Sequence, residues 1–170
     1  MKLIKTHKSW KVFFLQSAVL FTALIVGWKF FEQNYRISID PQKERCLPHL
    51  LSLIDLHDQD IHTGDMVAFT ASGIEPVIED GTKMIKLVVG EAGDQIEITK
   101  DGVMLVNDQE VARGMYYATI RDIDLSKYAG KRTLSDGEFW VIGTHYKSLD
   151  SRYWGVLRDE QIIGKAFKIL

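Results

Sequence analysis

Lys86 sits inside an apolar run, flanked by Met84, Ile85, Leu87 and Val88. Side chains alternate between the faces of an extended strand, so Lys86 shares a face with Met84 and Val88. A lysine in that setting has two readings: a charge that blunts a sheet edge, or an amine stripped of water whose pKa falls on burial. The second reading is chemistry, because an uncharged amine can take the proton of a nucleophile. Cys46 offers a sulfur nucleophile, although the ordinary reading of a lone cysteine is a small buried apolar side chain. The stretch Ser148-Leu149-Asp150-Ser151-Arg152-Tyr153-Trp154-Gly155 mixes small hydroxyls, an acid–base pair and aromatics. Taken alone it could equally be a salt-bridged turn. One cysteine permits no intramolecular disulfide and no cysteine-based metal site. His49, His57, His62 and His145 read as surface or structural residues, with no pattern for a Ser–His–Asp triad or a metal cluster.

The elements that must position these residues read as β structure. Residues 65–72, 82–89 and 94–99 are alternating or β-branched and are strand candidates. Lys100-Asp101-Gly102 is a turn signal between 94–99 and 103–106, which predicts a hairpin. Residues 137–144 and 162–169 complete the set. Residues 48–56 fit either helix or strand, and residues 119–128 either a short helix or a loop. No internal repeat is visible. Many short strands with glycine-bearing turns predict a compact, mainly β domain.

The first thirty residues are of another kind. Residues 12–28 carry no charge, and Phe30 and Phe31 extend the run past Lys29. About 20 apolar residues are needed to cross a hydrocarbon core as a helix, and residues 10–31 supply them, with Trp10 and Trp28 as interfacial anchors. Lys2, Lys5, Lys8 and Lys11 precede the span and Glu32 follows it. The positive-inside rule therefore predicts a cytoplasmic N-terminus (1–11), a transmembrane anchor (12–31) and an extracytoplasmic remainder (32–170). A cleaved leader would need a small-x-small site, but Val26-Gly27-Trp28-Lys29-Phe30-Phe31 is bulky, so the anchor is expected to be retained. Beyond residue 31 the chain holds 16 basic and 23 acidic side chains, a net charge of −7. That balance argues against nucleic acid as a partner, since a basic patch supplies most of such affinity.

Placed in order, the segments resemble the type I signal peptidase family. Thr63-Gly64-Asp65-Met66-Val67-Ala68-Phe69 is similar to its Gly-Asp strand motif. The run from Met84 through Lys86 to Gly93-Asp94 is similar to the segment bearing its catalytic lysine. Residues 148–155 resemble its closing motif, and Ile163-Gly164-Lys165-Ala166 its terminal strand. Cys46-Leu47-Pro48 stands where the family has a serine, an apolar residue and a nearby proline. Spacing and chain length resemble the conjugative-transfer subgroup, which processes pilin precursors. Two departures accompany the sulfur: Gly143-Thr144-His145 replaces a Gly-Asp-Asn, and Glu44 occupies the position two before the nucleophile, where a carboxylate would repel an oxyanion.

The resemblance implies a signal-peptidase-like β domain behind one transmembrane helix, acting at the bacterial inner membrane. It implies an endopeptidase that removes leader peptides from exported precursors, a pilin precursor among them, without a cofactor. Cys46 would be the nucleophile and Lys86 its base. Ser148 would orient the Lys86 amine, Asp150 and Arg152 would brace the loop, and the Cys46 backbone N–H would donate to the oxyanion. Ser38 and Ser52 remain as other hydroxyls. The competing expectation is an inactive relative that binds precursors, or helps assemble a conjugation or secretion apparatus, without cutting them.

Overall fold

A computed structural model describes residues 9–73, 78–120 and 124–170. The chain divides into one unit ending at Tyr35 and another running from Arg36 to Leu170.

The first unit is a single helix, α1 (Trp10–Asn34). At 1.5 Å per residue its 25 residues extend about 37 Å. Phe14, Leu20, Phe21, Leu24 and Val26 are each more than 60% exposed, so the helix is apolar towards its surroundings rather than towards a protein core. By length and composition it can cross a membrane. It runs three residues past the expected span, where the Asn34 side-chain amide donates to the Phe30 carbonyl (2.6 Å). Residues 1–8, most of the expected cytoplasmic segment, lie outside the described residues.

The second unit is built on two antiparallel sheets. In chain order its strands are β1 (Tyr35–Ile39), β2 (Leu51–Asp55), β3 (Met66–Thr70), β4 (Lys83–Gly90), β5 (Gln95–Ile98), β6 (Val103–Val106), β7 (Gln109–Arg113), β8 (Gly130–Thr133), β9 (Glu138–Ile142), β10 (Leu157–Arg158) and β11 (Ile162–Lys168). The larger sheet has the order β1-β2-β11-β3-β4-β9-β10, and the smaller β7-β6-β5-β8. The smaller sheet is thus an excursion between β4 and β9. Two short helices, α2 (Tyr116–Ile120) and α3 (Ser151–Trp154), lie in connections. The mainly β expectation holds, and the 94–106 hairpin forms as β5–β6.

Alternation along the strands divides the core. Val67 and Phe69 pack with Val88, Val141 and Leu157 on one face of the large sheet. Ala68, between them, packs with Ile54 and Ala166 on the other. A third cluster, including Ile96, Met104, Trp140 and Ile142, joins the small sheet to β9. β11 reaches its register through an irregularity between Ile162 and Gly164. A side chain at Gly164 would overlap the Asp55 carbonyl, so only glycine fits there.

Several expectations are refined. The ambiguous 48–56 segment becomes a strand, β2. Of 119–128, the described part ends α2 and forms a 3-10 turn (Leu125–Lys127), while residues 121–123 lie outside the described residues. The edge reading of Lys86 does not hold. β4 lies between β3 and β9, and Lys86 is paired with Val67.

Candidate active site

Residues 143–155 pass from β9 into α3 as a loop tied down by charge and backbone. Asp150 is fully buried and Arg152 nearly so, and they form a bidentate ion pair, with Nε–Oδ1 and Nη2–Oδ2 both 2.8 Å. The remaining capacity of each is used. Asp150 accepts from the Gly143 N–H (3.0 Å) and caps α3 by accepting from the Arg152 N–H (3.3 Å). Arg152 Nη1 donates to the Gly114 carbonyl (2.8 Å). Ser151 Oγ accepts from the Val141 N–H (3.0 Å), fastening the loop to β9. A buried ion pair is tolerated only when its spare donors and acceptors are satisfied in this way.

Ser148 lies in the same loop with no exposed surface. Its Oγ accepts a 2.8 Å hydrogen bond from Lys86 Nζ, and Lys86 is 1% exposed. The structure therefore brings Lys86, Ser148, Asp150 and Arg152 together: the lysine against the serine, the ion pair holding the loop that carries that serine. The fit is close. A side chain at Gly143 would overlap Ser148 Oγ, and its Cβ would lie 2.9 Å from the Cys46 carbonyl oxygen.

Cys46 arrives on a segment of a different character. Its carbonyl accepts from the backbone N–H groups of Thr144 (2.7 Å) and His145 (3.3 Å). The Thr144 hydroxyl also donates to that carbonyl (3.3 Å). Leu47 next to it is buried, while Cys46 itself is only half-buried, contrary to the ordinary reading of a lone cysteine. Among the described residues no hydrogen bond joins the Cys46 sulfur directly to Lys86. Both line one groove of about 1260 Å³, floored by apolar side chains that include Ile54, Ala68 and Ile85.

Other polar groups lie on this groove. Ser52 is buried and shares a 2.8 Å hydrogen bond with His49 Nε2. Burial pushes the His49 imidazole below its ordinary value, with the positive charge of Lys168 adding to the effect. Ser38 is on β1, in the groove wall. Glu44 is held by the Lys147 ammonium at 2.8 and 2.7 Å, which lowers its carboxyl below the usual range. Lys147 is a residue of this site that the sequence does not announce. Glu44 and Lys147 are 103 positions apart, and no local pattern announces such a pair.

The quoted motifs also meet one another. Asp65, from the Gly-Asp strand motif, pairs with Lys165 of the terminal strand at 2.6 Å. Across residues 8–170 the chain matches the family described as signal peptidase, peptidase S26. It belongs to that family. Among curated relatives, a signal peptidase I of Pseudomonas fluorescens is 26% identical over 147 residues, covering 65% of this chain and 49% of the relative. The chain thus spans about half the length of that relative. Among solved structures, a signal peptidase I from Enterococcus faecalis V583 is similar at 20% identity and a TM-score of 0.38, covering 62% of this chain and 95% of that one. As a member of the S26 family, this chain carries its buried lysine on an internal strand of the large sheet, facing the closing motif.

Proposed function

We propose that this protein is a membrane-anchored endopeptidase that removes leader peptides from exported precursors through a Cys46–Lys86 dyad. The reading rests foremost on a buried lysine, hydrogen-bonded to Ser148, opening on the groove that Cys46 also lines. Membership of the S26 family supports the same chemistry. Neutral Lys86 accepts the Cys46 thiol proton, and the sulfur attacks the scissile carbonyl carbon. The carbonyl oxygen becomes an oxyanion facing the Cys46 backbone N–H, a type of donor that contributes about 3 kcal/mol to such transition states. As the tetrahedral species collapses, the C–N bond breaks and Lys86 returns its proton to the departing amine. Water, or a second amine, then attacks the thioester and releases Cys46.

Ser148 orients the Lys86 amine in this scheme, and Asp150 and Arg152 keep Ser148 in place. α1 serves as the anchor in the bacterial inner membrane, with the N-terminus cytoplasmic and residues 32–170 outside. The likeness of Cys46-Leu47-Pro48 to the serine–apolar–proline motif of the conjugative-transfer subgroup supports a pilin precursor as substrate.

The test is cleavage of a precursor peptide with a small-x-small site by the full-length protein in detergent, read by mass spectrometry. Wild type should cut after the second small residue. Lys86→Ala should cut at least a hundredfold more slowly, the range expected on losing a general base. No cleavage by wild type, with the peptide still bound, would support the binding-only relative instead.

A further inference from the structure

Glu44 poses a problem for the dyad, because a bare carboxylate two residues before Cys46 would oppose both a thiolate and an oxyanion. The structure contains its answer in a residue the chemistry has not used. Lys147 Nζ contacts both Glu44 oxygens, at 2.8 and 2.7 Å. The same nitrogen lies 5.4 Å from the ring centroids of both Tyr116 and Tyr146, within cation–π range. Those two rings meet edge to face, with centroids 5.4 Å apart. The ammonium is therefore held from three sides: by the Cys46 segment, by α2 and by the loop after β9.

We infer that Glu44 and Lys147 form a positioning pair, which couples the Cys46 segment to the Ser148 loop and cancels the carboxylate charge beside the nucleophile. This inference rests on the dyad reading. Lys147 immediately precedes Ser148, the acceptor for Lys86, so one short loop carries both the support of the base and the counter-ion of the nucleophile's segment. The Thr144 and His145 N–H groups, bound to the Cys46 carbonyl, make the coupling direct. An exposed ion pair adds little to stability, so its effect should appear in reactivity. The charged or titratable groups that line the groove with Cys46 are Arg36, Asp40, Lys43, Glu44 and His49 from residues 36–49, Lys83 and Lys86 from β4, Tyr117 from α2 and Lys147 from the loop after β9, while His145 meets Cys46 through its backbone N–H. Arg45 is turned aside, donating to the Asp40 carbonyl (2.9 Å).

The inference predicts opposite signs for two substitutions that break one contact. Lys147→Met leaves Glu44 negative beside the thiol and should move the pH midpoint of Cys46 reactivity up. Glu44→Gln leaves Lys147 positive there and should move it down. Each shift should be on the order of half a pH unit, the effect of one unit charge several ångströms away in a partly solvated site. The double substitution should return the midpoint to its wild-type value. The experiment is the pH dependence of Cys46 alkylation by iodoacetamide in full-length protein in detergent, where no second thiol interferes. Melting temperatures should stay within about 3 °C, as expected for an exposed pair.

Midpoints that move in the same direction, or do not move, would overturn the pair's electrostatic role. Lys86→Ala, run alongside, separates this result from the dyad. If Lys86→Ala leaves the profile unchanged while the other variants move it oppositely, the dyad fails and only the pair's electrostatic effect on the thiol stands. Inert Cys46 in wild type overturns both.

Discussion

The two segments that meet at the groove are built on different principles. The Ser148–Arg152 segment is fixed from inside: a buried bidentate ion pair, a backbone N–H on its carboxylate and a serine anchored to β9. The Cys46 segment is fixed from outside, by two backbone hydrogen bonds on one carbonyl and an ion pair at the surface. The first resists displacement because breaking its ion pair strands a buried charge. The second can yield without such a penalty. Under the proposed dyad this division suits the work: Lys86 is held against a rigid loop, while the Cys46 segment can accommodate an incoming chain.

Substitutions can break or sharpen that contrast. The largest effect should come from Arg152→Ala, which leaves Asp150 charged and buried. A loss of about 3–5 kcal/mol is expected for half a buried pair, so the melting temperature should fall by roughly 10 °C. Ser148→Ala removes the acceptor of Lys86 Nζ, and a stranded buried donor costs about 1–3 kcal/mol. That variant should lose cleavage out of proportion to its loss of stability, which paired melting and activity measurements would show. Gly143→Ala forces a methyl group into Ser148, and overpacking of this kind costs about 1–3 kcal/mol. If its melting temperature is unchanged, the packing of Gly143 against Ser148 and the Cys46 carbonyl is looser than described.

A smaller effect depends on pH. His49 titrates below its ordinary value of 6.5 in the folded protein because it is buried. Below about pH 6.5 the unfolded chain takes up a proton that the folded chain resists, so stability falls as pH drops towards the folded value and then levels off. His49→Gln should flatten that slope in melting temperatures taken between pH 7.5 and 5. An equal slope in both proteins would assign the acid sensitivity elsewhere.

The contrast also explains what could be read from the sequence. Strands whose alternation meets a core announced themselves: Val67 and Phe69, Ile96 and Ile98, Met104 and Val106 all reach buried positions. β8, Gly-Lys-Arg-Thr, is exposed throughout and has no apolar pattern to betray it, so only its pairing with β5 makes it a strand. β7 is similarly polar and is held by β6. β1 follows α1 directly, and its two isoleucines are exposed. The placement of Lys86 could not be read locally, since alternation alone fits an edge or an interior strand and strand order decides between them. Residues 148–155 were visible as a group because their chemistry is contiguous. The contact of Glu44 with Lys147 joins segments 103 positions apart, which no spacing rule reaches.

The central claim is that Lys86 acts on Cys46 across the groove. Its most direct test needs no substrate: the rate of Cys46 alkylation as a function of pH, in wild type and in Lys86→Ala. Coupling predicts a readily alkylated thiol whose profile shifts when the amine is removed, with the fold intact by its melting curve. A thiol that is inert in both proteins, or equally reactive in both at every pH, would contradict it.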